Sequence, residues 1–537
     1  MNNSIWRKLV AAALCVATAV SAYSATNETI KQLKKFYEAK ARVSGMYVDA
    51  VSDSALIDYA ISGMLQKLDP HSVYIPKSEM QQMNEPLVGE FEGIGVQFVM
   101  LKDTLYVDAV IPGGPAEKVG VLAGDRFIKA NDTLIAGVKM TSRDIMKRLR
   151  GKKGTTATVT VVRRGVKDPF EFKITRDKIP LHSVQAAYMV SPSVGYIKLT
   201  IFSDNTKKEF DEALKTLKKA GMKDLIFDLQ GNGGGYLKAA SSIADEFLDG
   251  KQMIVYTKGR AVRETYKSSP GGSFVDGRIV FLVDESSASA SEILSGAMQD
   301  NDRAVIVGRR TFAKGLVQMP VALADGSGLR ITIARYYTPS GRCIQKPYAD
   351  GVEKYKNDVI ERYNHGELLS ADSIHFPDSL KYETLNLHRT VYGGGGIMPD
   401  YFVPIDTTAQ SLYLTKIVAK GVVNGYASDF LQKHEKELKK KYDNVDDFIK
   451  SYELGDNYLK ELTDKAASEG VKYDEAGFKK SSPMIKKQLK AIFARRLFGT
   501  EGFYKTVNAY DDSYLKAMEI LTTDGMYDKV LNKGAKK

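Results

Sequence analysis

Ser289 and Lys314 are the two residues whose types and surroundings could do chemistry together. Both lie in one stretch, Asp284–Gln318, which reads DESSASASEILSGAMQDNDRAVIVGRRTFAKGLVQ. It begins where the apolar run Ile279–Val283 gives way to Ser and Ala, continues with a helical pattern, and reaches a second β-branched run, Ala304–Val307. A serine in a turn that opens a helix is ordinarily an N-cap. At the end of a buried strand its hydroxyl can also meet a substrate, and the helix dipole there favours developing negative charge. The six histidines, His71, His182, His365, His375, His388 and His434, all lie outside this stretch. A Ser-His-Asp triad is defined by geometry and stays open on sequence grounds. Lys314 is the nearer base. It is flanked by Ala313, Gly315, Leu316 and Val317, and burial among apolar groups favours the neutral amine that can take a proton from serine. Arg309 and Arg310, if close, act in the same direction as like charges.

A second feature could complete such a site. Gly231-Asn232-Gly233-Gly234-Gly235 follows a strand-like run and precedes a helical one. It lacks the Lys-Ser/Thr ending of a phosphate-binding loop and the spacing of a dinucleotide fold. Backbone N–H groups that converge at a helix start can equally form an oxyanion hole. Neither an H-E-x-x-H pattern nor a Cys/His ligand cluster occurs, so no metal or organic cofactor is expected.

These groups need elements to hold them. A chain of 537 residues is expected to form two to four domains. Its net charge of +12 is read as a lysine-rich solvated surface, because the lysines sit in helical stretches such as Lys436–Lys441 rather than among aromatics, and no nucleic acid is expected. Residues 1–25 read as an export signal: Arg7 and Lys8, the apolar run Leu9–Val20, then small residues. Removing them leaves Cys343 as the single thiol and no apolar run long enough to span a membrane, so an exported, periplasmic protein without an intrachain disulfide is expected. Residues 26–87 are expected to be helical. Residues 88–178 change to strand-like runs, among them Phe91–Met100, Thr104–Ile111 and Thr156–Arg163, with an amphipathic helix at Ser142–Leu149. This order resembles a PDZ domain. Gly93-Ile94-Gly95-Val96 stands where such domains bind a peptide's terminal carboxylate while the peptide adds a strand to the sheet edge. From 179 to 405 strands and helices alternate, which argues a layered α/β core, with residues 346–405 as an excursion returning to it. Residues 406–537 are again helical.

Ser289-Ala290-Ser291-Glu292, Lys314-Gly315 and Gln318, with Asp228–Gly235 and the GGGGIMPD segment from Gly393 onward, resemble the carboxy-terminal processing (tail-specific) serine peptidases. The motifs occur in that family's order and spacing. The resemblance implies an α/β peptidase core with an inserted PDZ domain and helical flanks. It implies Ser289 as nucleophile, Lys314 as general base, Gln318 orienting the lysine, and the N–H groups of Gly235 and Ala290 as the oxyanion hole. Substrates would be exported proteins or peptides with exposed C-termini, bound by the PDZ loop. The helical flanks would serve dimerisation or cage the site, and an adaptor protein is a further candidate partner. Four positions depart from the family pattern: Gln230 for a usual Arg, Arg309-Arg310 for a common Glu-Pro, and Ala313 for a common Gly. Two other readings compete, a catalytically silent PDZ scaffold that only binds peptides and a basic protein that binds anionic envelope polymer.

Overall fold

The computed structural model describes residues 27–101 and 103–533. The expected export signal lies outside them. At the centre is a sheet in the order Val184–Met189, Val194–Leu199, Asp224–Asp228, Ile279–Val283, Val305–Gly308 and Tyr401–Phe402. The first pair is antiparallel and the others are parallel. Parallel strands need crossovers, and the helices Thr206–Lys219, Leu237–Phe247 and Ala290–Asp300 supply them.

The strands read as unbroken apolar runs because both faces of the sheet are covered. Alternate residues enter two cores. Ile197, Phe227, Phe281 and Val283 pack with Phe210, Ile243, Phe247 and Ile293 of the crossover helices. Tyr196, Ile226, Val280 and Leu282 pack with Tyr514, Ile520 and Tyr527, from the helices Asp512–Thr522 and Met526–Leu531. Fully burying each such side chain contributes about 2–3 kcal/mol.

The PDZ-like region has its own sheet, in the order Val96–Leu101, Thr104–Val110, Arg126–Ala130, Thr156–Val162 and Phe170–Thr175. Its core holds Ile94, Leu105, Phe127, Ile145 and Val159. The expected strand Phe91–Met100 is broken. Glu90–Gly93 pairs with Asp177–Pro180, and the chain then turns at Gly95, whose φ of 79° suits glycine.

The remaining helices, from Leu412–Ala419 to Glu475–Asn508, enclose another core that includes Tyr426, Phe430, Leu462 and Phe493. The last of them is interrupted at Gly499, with φ 75° and ψ −165°. The helical C-terminal stretch is thus divided, its final two helices belonging to the central sheet.

A separate N-terminal unit contains the helices Asn27–Met46 and Asp53–Gln66 and the strand Val73–Ile75, which runs antiparallel to residues Gly328–Arg330. No helix among the described residues is long and apolar enough to cross a membrane.

Candidate active site

Ser289 stands at the C-terminal end of the central sheet, where a tight turn leads from Ile279–Val283 into the helix Ala290–Asp300. Asp284 organises the turn: its carboxylate accepts the N–H groups of Gly231, Ser286 and Ser287, each at 3.0 Å. Burial raises its pKa above the ordinary aspartate value. Asn232 fixes the neighbouring glycine loop. Its amide donates to the Leu199 carbonyl (3.0 Å) and accepts from the Gly234 N–H (2.9 Å), while its own carbonyl accepts from the Ala288 N–H and the Ser291 hydroxyl. Ser289 itself is half-buried between buried Ala288 and Ala290. Its φ of 56° and ψ of −111° are strained for a residue with a side chain.

The glycines allow close approach. A Cβ on Gly234 would lie 2.8 Å from Ser289 Cβ, and one on Gly235 would lie 2.0 Å from the Phe202 carbonyl. Phe202 accepts from Tyr236 and donates to the Gly234 carbonyl, so the Gly235 N–H faces away from it. Among the described residues, neither the Gly235 nor the Ala290 N–H enters a hydrogen bond.

Lys314 lies in the loop between the strands Val305–Gly308 and Leu316–Ala322. The glycine segment Gly393–Gly396 backs this loop. Thr311 bonds Ile397 through both its N–H and its hydroxyl, and a Cβ on Gly396 would meet Thr311 Oγ1 at 2.7 Å. Arg309 pairs with Glu285 (2.7 Å), and Arg310 pairs with Glu367 (2.5 Å) and donates to the Gly395 carbonyl. Both arginines pair with carboxylates, and the two side chains tether the loop. Arg362 donates to the carbonyls of Arg310 and Thr311. Ala313 has a φ of 74°, a left-handed value that glycine adopts without penalty. Gln318 lies four residues beyond Lys314 and makes a long contact, 3.4 Å, to Thr332 Oγ1. Gln230 lies between Leu229 and Gly231, which both bond residues of the turn; its side-chain amide is 3.4 Å from Asp511, and its carbonyl accepts from Lys198, itself paired with Asp228.

The Arg309–Glu285 pair and the Phe312 N–H, which the Ser287 carbonyl accepts, already connect the serine turn to the lysine loop; two further residues join them, and sequence reasoning gave neither a role. Glu292 is wholly buried. Its Oε2 accepts the N–H groups of Ser289 (2.8 Å) and Lys314 (2.9 Å), and its Oε1 accepts the Ala313 N–H (2.7 Å) and the Thr311 hydroxyl (2.6 Å). Burial pushes the carboxyl up to about 7 against these bonds, which pull it down. The Tyr336 hydroxyl lies 3.1 Å from the Ser289 carbonyl and 2.5 Å from the Lys314 carbonyl and donates to that pair. The spacing Ser289-x-x-Glu292 is a capping-box signal and could have exposed the first contact. Nothing local points to Tyr336.

The PDZ loop sits on the other sheet. Gly93 ends a strand, Ile94 is buried in the local core, Gly95 makes the turn, and Val96 opens Val96–Leu101. That strand pairs on one side with Thr104–Val110 and forms an edge of its sheet. Among the described residues no group of three His, Cys, Asp or Glu side chains could hold a metal ion.

Comparison with known proteins agrees with this architecture. Residues 193–354 match peptidase family S41, residues 93–174 the PDZ domain, residues 7–79 the N-terminal domain of the activating protease CtpB, and residues 413–499 a family of unknown function. The carboxy-terminal-processing protease of Bartonella bacilliformis is 38% identical over 343 residues, 63% of this chain and 78% of that protein. The carboxy-terminal processing protease CtpB of Bacillus subtilis is 34% identical over 325 residues, 60% of this chain and 67% of that one. Among solved structures, a photosystem II D1 C-terminal processing protease is 29% identical with a TM-score of 0.33, covering 57% of this chain and 88% of that one. By its peptidase and PDZ matches and its likeness to relatives over most of their length, the chain belongs to the carboxy-terminal processing serine proteases of peptidase family S41.

Proposed function

We propose that this protease cleaves exported proteins with a Ser289–Lys314 dyad. The observation that carries the reading is the joining of the serine turn to the lysine loop through Glu292 and Tyr336, beside two N–H groups left unbonded at Gly235 and Ala290. Ser289 Oγ attacks the scissile carbonyl while Lys314 Nζ takes its proton. The Gly235 and Ala290 N–H groups receive the oxyanion. When the tetrahedral intermediate collapses, the C–N bond breaks and Nζ passes the proton to the leaving amine. Water then hydrolyses the acyl-serine, with Lys314 again accepting its proton. Gln318 steadies the lysine. The Gly93–Val96 loop receives the substrate's terminal carboxylate, and the substrate extends along the free edge of Val96–Leu101. Residues 1–25 direct export to the periplasm. The N-terminal helices present exposed Leu33, Tyr37 and Met46 and support pairing with a second copy.

The test is cleavage of an unfolded reporter with an apolar free C-terminus. Ser289→Ala and Lys314→Ala are each expected to abolish turnover while leaving binding of the tail intact. Wild-type turnover in either variant would overturn the dyad. A chain that binds the tail but never cleaves it, and whose Ser289 resists a serine-reactive probe, would be a peptide-binding scaffold.

A further inference from the structure

We infer that Glu292 is the positioning residue of this site, a single buried carboxylate that holds nucleophile and base in mutual register. This rests on the dyad reading. Ser289 and Ala313, the residue before Lys314, are both non-glycine residues with left-handed φ, 56° and 74°. Such conformations persist only where the surroundings over-determine them. Glu292 accepts the N–H of each, and of Lys314 as well. It therefore ties together the strained peptides on both sides of the chemistry. Thr311 adds a hydroxyl to the same carboxylate and is anchored in turn to Ile397. Tyr336 matches the arrangement on the carbonyl side.

Only a carboxylate has two acceptor oxygens for this set of donors. Glutamine fills the same space but must point its NH2 at one pair of them. The better choice faces Thr311, whose hydroxyl can turn to accept, and this leaves the Ala313 N–H opposed by another donor. The Ser289 and Lys314 N–H groups keep an oxygen. The defect therefore falls on the backbone that leads into the lysine.

The experiment compares Glu292→Gln, Ala313→Gly and the double variant in the full chain, reading kcat and KM on a tail-bearing peptide and the labelling rate of Ser289 by a fluorophosphonate. Glu292→Gln is expected to lower kcat and labelling about a hundredfold, the scale of a misplacement near 1 Å, with KM within about twofold. Glycine adopts the left-handed conformation without the support of the Glu292 carboxylate, so the double variant should recover at least tenfold of the loss in kcat. A merely structural role for Glu292 predicts no such rescue. The inference is overturned if folded Glu292→Gln keeps kcat within about threefold of the parent, or if the double variant is no better than Glu292→Gln. If Glu292→Gln does not fold, Glu292→Asp takes its place. Its carboxylate is one methylene too short to reach both segments, and the same loss in kcat and the same rescue are required of it. Activity surviving in Ser289→Ala or Lys314→Ala would instead refute the dyad, a separate result.

Discussion

Glu292→Gln also makes a sharp prediction about stability against pH. Burial moves the Glu292 carboxyl from its ordinary 4.5 to about 7 in the folded chain. Within that window the folded protein holds a proton that the unfolded chain has released, so stability falls as pH rises. The contribution is largest below about pH 4.5 and is lost by the time pH passes 7. Glu292 is wholly buried, so solvent screening removes little of the effect. Between pH 5 and pH 8 the wild type should lose about 2–3 kcal/mol that the glutamine variant retains. Asp284 and Asp511 are raised in the same direction, both by burial, while Glu285 and Glu435 are lowered by arginine and lysine partners against their burial. All four are common to both proteins and cancel in the difference. The measurement is hydrogen exchange of the Ala290–Asp300 amides at a series of pH values, corrected for intrinsic exchange. A wild-type-minus-variant difference that stays flat within about 0.5 kcal/mol across the range refutes the assigned titration and the burial argument behind it.

Two substitutions probe the supports of the site, and one ligand comparison probes the PDZ loop. Gly234→Ala places a Cβ 2.7 Å from the Ala288 carbonyl and 2.8 Å from Ser289 Cβ at a φ of 101°; it should cost about 2–4 kcal/mol in urea denaturation and lower kcat/KM at least tenfold in a peptide assay. Arg310→Ala removes the main partner of half-buried Glu367, leaving Arg362 at 3.4 Å; a loss of about 2–4 kcal/mol, with faster proteolytic nicking near Thr311, is expected and is read by denaturation and mass spectrometry. A peptide ending in a free carboxylate should bind the full chain about ten to a hundredfold more tightly than its amide, as charge-assisted bonds of about 1.5–3 kcal/mol require. Calorimetry with the Ser289→Ala variant measures this without cleavage.

The elements that were legible are those whose signal is local. Ile279–Val283 and Asp224–Asp228 stand where their apolar runs place them, because strands buried on both faces need no alternation and end at the acids Asp284 and Asp228. The PDZ-like order followed from its turns. The split at Gly95 was hidden because one glycine turns the chain in the middle of an apolar run. The Leu316–Ala322 strand was missed since Gln318, Met319 and Pro320 interrupt its apolar pattern, and Met319, Pro320 and Ala322 are exposed. Amphipathic periodicity shows that Asp512–Thr522 has an apolar face but not that the face covers Ile226 and Val280 rather than the neighbouring helices. Of the candidate site, the serine, the lysine and the glycine loop were named from the sequence, and the fold brings the first two onto one carboxylate. Glu292 reads locally as a cap, and its contacts to Ala313 and Lys314 exist only after the Val305–Gly308 strand has returned the chain to the serine turn.

The departure at Ala313 becomes intelligible in the same terms. A glycine there needs no support at a φ of 74°, whereas alanine carries about 1–2 kcal/mol of strain. Ser289 cannot be relieved in this way under the proposed dyad, in which its hydroxyl is the nucleophile. Both strained peptides lean on one carboxylate whose own burial disfavours its charge. Protonation below about pH 7 makes the fold more stable but leaves one oxygen carrying a hydrogen that must point at a donor. The ionised form, the one proposed to position Ser289 and Lys314, is thus the less stable one. The two cores on either side of the central sheet, and the Arg309 and Arg310 tethers, supply the excess stability against which that strain is held. Weakening the tethers, as in Arg310→Ala, should therefore lower kcat in a chain that still denatures as a folded protein.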